Sequence, residues 1–99
     1  MNHEAKHAAP YAEISVVRVT QLLKEHRDFT GSSDHERPPR VGDTGTIVSV
    51  YSTPGQIPAY DVECIVTDGE HAGWTIWLAT FTHDELQLLS PYDKDQRSE

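Results

Sequence analysis

Residues 59–81 read AYDVECIVTDGEHAGWTIWLATF, and the fold of the chain turns on them. In the first part Tyr60, Val62, Cys64 and Val66 alternate with Asp61, Glu63 and Ile65, the period of two that sends successive side chains to opposite faces of a strand. One face is therefore core and the other carries carboxylates. Asp68-Gly69 is a hairpin signal, because both residues tolerate the backbone angles that a tight reversal needs. The stretch GWTIWLATF then supplies a partner strand that is apolar on both sides. An odd spacing separates Trp74 from Trp77, so they point to opposite faces: one enters the core, and the other lies near a surface or groove.

The pattern extends outward from this hairpin. Upstream, Gly42-Asp43 and Gly45 mark a tight turn, and Thr46 to Tyr51 are rich in β-branched residues. The stretch STPGQIP that follows is a turn with Pro54-Gly55 at its tip. Downstream, Thr82-His83-Asp84-Glu85 is a capping box, in which the threonine caps a first turn and the glutamate reaches back to the threonine amide. One short helical turn is expected there, followed by a closing strand from Leu86 to Leu89 before Pro91. Near the start, Ile14, Val16, Val17, Val19 and Thr20 crowd a helix at Cβ, so a first strand is expected from Ser15 to Leu23. Between it and the Gly-Asp turn, KEHRDFTGSSDHERPPR is loop chemistry over a length that often carries function. The expected architecture is all-β: a five-stranded SH3-like small barrel with one short helical turn before the last strand. It spans residues 14–90, between a flexible arm at 1–13 and a flexible tail at 91–99.

With 99 residues the chain suits one domain with one modest core. No apolar run is long enough to cross a bilayer, and the first residues lack the apolar centre of a signal peptide, so a cytoplasmic protein without membrane contact is expected. Cys64 is the single cysteine, which rules out an internal disulfide, and its apolar neighbours suggest a small packed hydrophobe. The net charge of −8 is unevenly distributed. From Val41 to Ser90 there is no lysine or arginine, while Asp43, Asp61, Glu63, Asp68, Glu70, Asp84 and Glu85 are all there. Some of these carboxylates have Arg18, Arg37 or Arg40 as candidate partners in the fold. The remainder should leave a negative field, which repels phosphate and argues against direct nucleic-acid binding. A basic protein is the natural complement.

Several patterns suggest chemistry. Residues 3–7, HEAKH, match the H-E-x-x-H zinc signature, but Pro10 follows closely and would stop the helix that must hold those ligands. A metal-dependent hydrolase is thus the weakest of the function classes, and a polar arm is the expectation. Gly42-Asp43-Thr44-Gly45 lacks the lysine and the following helix of a phosphate cradle, so it reads as a structural turn. His71, His83, Glu70 and Asp84 form a metal or acid-base cluster only if two turns fold together; exposed polar loop residues are expected, with no metal or cofactor. Asp61 and Glu63 share a strand face as a glycosidase pair does, yet a chain this small has little room for a sugar cleft.

Val16-Val17 with Leu22-Leu23, the run Val41 to Val48, Tyr60-Asp61-Val62-Glu63, and Asp84-Glu85-Leu86 with Leu88 together resemble a bacterial family of small stand-alone proteins. That family is known as domain of unknown function 4926. The resemblance covers Ser15 to Leu89 and implies a small barrel; it also implies a partner role beside toxin-like proteins, and no catalytic residues. This chain departs from the family pattern at Arg27 to Arg40 and at STPGQIP, where it is longer.

The reading is a non-enzymatic, acidic protein-binding module, in its most concrete form an immunity or antitoxin-like protein that occupies the active groove of a basic, toxin-like partner. Asp61, Glu63, Asp68 and Glu70 would supply the charge, and Tyr60, Trp74 and Trp77 are the candidate aromatic anchors. Phe29 and Arg37 in the first long loop would add shape. The alternative is an accessory or assembly subunit of a larger enzyme, docked by apolar contact.

Overall fold

The computed structural model describes residues 9–32 and 34–91. HEAKH and almost all of the expected tail therefore lie outside the described residues. Five strands follow in chain order: β1 (Val16–Val19), β2 (Thr44–Tyr51), β3 (Ala59–Ile65), β4 (Thr75–Thr82) and β5 (Leu86–Ser90). A single 3-10 turn, His83–Glu85, precedes β5. It carries both halves of the expected capping box: the Thr82 side chain meets the Glu85 backbone, and the Glu85 carboxylate accepts from the Thr82 amide at 2.9 Å.

All pairings are antiparallel, and the sheet order is β4-β3-β2-β1-β5. This order leaves β4 and β5 as the two ends of one ladder, and the sheet does not close on itself. The chain is thus an all-β, five-stranded antiparallel sheet, whereas the closed SH3-like barrel read from the sequence is not seen. Register shifts fall between Val16 and Val17, between Ile47 and Ser49, and between Cys64 and Ile65. Such irregularities bend strands and increase their twist. Side chains from every strand meet in one core: Val17, Val19, Ile47, Tyr60, Val62, Cys64, Trp77, Ala79, Phe81 and Leu86. Gly45 occupies the crowded point where β2 approaches β3. A Cβ there would lie 2.6 Å from the Glu63 carbonyl oxygen and 2.8 Å from a Val62 methyl.

The alternation read from residues 59–65 holds, because Tyr60, Val62 and Cys64 are buried while Asp61 and Glu63 lie on the other face. Trp77, Tyr60 and Phe81 are the largest fully buried side chains. Each removes roughly 150–250 Å² from water, worth on the order of 4–6 kcal/mol before conformational entropy is charged.

β1 is shorter than expected. It ends at Val19, and Leu22 and Leu23 are exposed. The reason is a competing partner: the Thr20 amide donates to the Glu85 carbonyl at 2.8 Å, and the Leu23 amide donates to the Glu85 carboxylate at 2.7 Å. From there the long connection crosses to the opposite end of the sheet. Thr30 and Leu78 exchange two backbone hydrogen bonds, at 3.1 and 2.8 Å, and the Ser32 amide donates to the Thr75 carbonyl at 2.8 Å. The outer edge of β4, which would otherwise offer its backbone groups to any passing strand, is covered along part of its length. Gly31 permits this approach, since a Cβ there would sit 2.5 Å from the Ile76 carbonyl oxygen. Tyr11, which the sequence assigned to the arm, packs against the core: its ring stacks on Tyr60 at 5.6 Å and its amide donates to the Tyr60 hydroxyl at 3.0 Å.

Candidate functional site

Six of the seven carboxylates between Val41 and Ser90 divide into two groups by what reaches them. Glu85 is 1% exposed and meets the Arg27 guanidinium at 2.6 Å, with Arg27 itself only 8% exposed. The Arg27 guanidinium carbon also lies 4.5 Å from the centroid of the Phe81 ring, a cation-π contact. Burial would raise the Glu85 carboxyl, but the amides of Leu23 and Thr82 and the Arg27 guanidinium outweigh it and hold the group below its ordinary range. Asp43 accepts two hydrogen bonds from Arg37, at 2.8 and 3.0 Å, one from the Arg40 amide at 2.9 Å and one from the Trp77 indole at 2.8 Å. Here too burial raises the carboxyl and is outweighed, by Arg37, Trp77 and the Arg40 amide, so its pKa lies below the ordinary value. Arg37 was among the candidate ion-pair partners in the sequence. Arg27 was not, and its carboxylate lies 58 positions away.

The second group is Asp61, Glu63, Asp68 and Glu70. Asp61 accepts from the Tyr51 and Thr80 hydroxyls, each at 2.6 Å, and Glu63 accepts from the Thr75 hydroxyl at 2.5 Å. Asp68 and Glu70 are exposed on the loop between β3 and β4. Among the described residues, ion pairs to lysine or arginine are Arg27–Glu85 and Arg37–Asp43, so none of these four has one. Hydroxyls fix the direction of Asp61 and Glu63 without neutralising them. The hydrogen bond to Asp61, with the charge of that carboxylate, pushes the Tyr51 phenol up.

The three aromatic candidates separate. Tyr60 and Trp77 are 0% exposed and belong to the core, so they have no surface to offer a partner; Trp74, 42% exposed, does. Strand parity already pointed this way, because Trp77 shares its face with Ala79 and Phe81. Trp74 stands in a ring cluster with His71, at 4.4 Å, and His35, at 5.4 Å. His35 Nε2 and His71 Nδ1 are 3.0 Å apart. His83 goes elsewhere, to the Tyr60 hydroxyl at 2.5 Å, so the two histidines weighed together in the sequence have different partners. Burial, aided by the charge of Asp43, pushes the Cys64 thiol up, away from the thiolate that a nucleophile requires.

A groove of about 450 Å³ runs beside the turn into β2, lined in part by Asp43, Thr44, Glu63, Cys64 and Ile65. Among the described residues no helix is long and apolar enough to cross a membrane. Comparisons with family models, curated proteins and solved structures find no match for this chain.

Proposed function

We propose that this protein is a non-enzymatic binding module on an open five-stranded sheet with the strand order of an SH3-like small barrel, and that its acidic β3–β4 hairpin docks on a basic protein. The most concrete form is an immunity or antitoxin-like protein that fills the cationic groove of a toxin-like partner with carboxylates. One observation carries the reading: Asp61, Glu63, Asp68 and Glu70 have no lysine or arginine partner among the described residues. Asp61 and Glu63 are also held in place by neighbouring hydroxyls. Anions held in place lose less side-chain freedom on binding, and clustered anions speed the encounter with a cationic surface. Trp74 adds an exposed aromatic beside them, the residue type that most often anchors an interface. The order of strands, with a 3-10 turn before the last, supports the SH3-like reading, as does the connection that covers the free edge of β4.

Affinity capture from the protein's own cell extract tests this, with wild type and the Asp61→Lys/Glu63→Lys double variant run side by side at low and high salt. The expected result is a basic protein retained by wild type, weakened by salt and lost with the double variant. A main partner that is not basic, survives high salt and binds both proteins equally would overturn the reading in favour of an accessory subunit docked by apolar contact.

A further inference from the structure

We propose that His35 and His71 form a two-histidine clip for a divalent transition-metal ion, joining the long connection before β2 to the loop between β3 and β4. The two rings come from segments 36 positions apart, yet His35 Nε2 lies 3.0 Å from His71 Nδ1. Two nitrogen ligands on one ion, with bonds of about 2.0–2.1 Å, sit about 3.0–3.4 Å from each other. The pair is therefore already at the separation that chelation needs, and small ring rotations would turn both lone pairs onto a common point. Each imidazole binds metal in its neutral form: the ring that donates in the His35–His71 hydrogen bond carries its proton on its other nitrogen instead, which frees the lone pair that the ion takes.

A second observation comes from the other side of His71. Its Nε2 faces Glu70 Oε2 at 3.8 Å. The Glu70 side chain is exposed, and by closing from this distance to a hydrogen bond it would become the usual outer partner of a metal-ligating histidine. The Trp74 ring lies beside both imidazoles and limits their rotation. Both histidines are partly exposed, which leaves the remaining coordination positions to water. No group of three or more His, Cys, Asp or Glu surrounds a common point among the described residues, which here supply two ligands. Nitrogen ligands of this kind suit Zn²⁺, Ni²⁺ or Cu²⁺ over Mg²⁺ or Ca²⁺.

The test is a calorimetric titration of the full chain with Zn²⁺, repeated on His35→Ala, His71→Ala, Glu70→Gln and the His3→Ala/His7→Ala double variant. One ion per chain is expected, with binding lost in either single histidine variant and unchanged when His3 and His7 are replaced. Glu70→Gln should weaken it by about tenfold, as removal of an outer partner commonly does. Electron paramagnetic resonance of the His3→Ala/His7→Ala variant with one equivalent of Cu²⁺ reads the ligands with His35 and His71 intact and should show two nitrogens. Absence of Zn²⁺ binding, binding that survives both single variants, or binding lost only with His3 and His7 would overturn the proposal. So would a Cu²⁺ spectrum without a two-nitrogen set.

Discussion

Asp43 and Asp61 both lie in the stretch of chain that holds no lysine or arginine, and the fold gives them opposite surroundings. Asp43 is reached by Arg37, by the Arg40 amide and by the Trp77 indole, and it links the long connection to the core. Among the described residues, the Asp61 carboxylate is reached by two hydroxyls on the outer face of the sheet. Glu85 repeats the first situation and Glu63 the second. Local sequence charge therefore does not decide what a carboxylate does. The connection between β1 and β2 does, because it brings Arg27 and Arg37 to two carboxylates and none of its cations to the hairpin.

The sharpest way to break this contrast is to remove the cation from the buried pair. Arg27→Met keeps an unbranched apolar stem, removes the guanidinium over Phe81, and leaves Glu85 charged, buried and without its ion partner. Breaking a buried pair from one side costs about 3–5 kcal/mol, and urea unfolding should show a loss of that size. Amide exchange at Thr30 and Leu78 should also quicken, since that pairing depends on the same connection. Unchanged stability would mean that Arg27 is dispensable.

A gentler probe is acid. Asp43 and Glu85 have folded-state pKa values below their ordinary ones. The unfolded chain therefore binds protons first as pH falls, and the stability these groups contribute is full above roughly pH 5, where unfolded carboxylates are ionised. It is lost as pH drops through the unfolded and then the folded values. Urea midpoints measured from neutral pH downward should hold steady and then decline below about pH 4. A rise in stability over the same range would reverse the sign of the argument.

The sheet itself was legible in the sequence, and the reasons are local. Alternation at Tyr60, Val62 and Cys64, the Gly42-Asp43 turn before β2 and the Thr82–Glu85 capping box are all short-range patterns, and each appears where it was read, while Gly45, read with that turn, lies inside β2. What escaped was set by distant partners. Leu22 and Leu23 continue an apolar run and still leave the strand, because Glu85 claims the Thr20 and Leu23 amides. Arg27 gives no sign in its own neighbourhood that it will be buried beneath an aromatic ring. Of the three candidate aromatics only the placement was legible, and only in part: Trp74 is exposed, whereas Tyr60 and Trp77 belong to the core faces of their strands. Their parity carried that information, and the appeal of aromatics as anchors obscured it.

The smallest expected effect, set beside a large one, gives the most direct test. Asp43→Ala and Asp61→Ala delete the same side chain from the two surroundings, and the measurement is the unfolding free energy of both variants against wild type. Asp43→Ala strands Arg37 and the buried Trp77 indole and should cost about 2–3 kcal/mol. Asp61→Ala removes only two exposed hydrogen bonds and should stay within roughly 0.5 kcal/mol of wild type. Equal losses, or a larger one for Asp61, would contradict the division between carboxylates that hold the fold and carboxylates that do not.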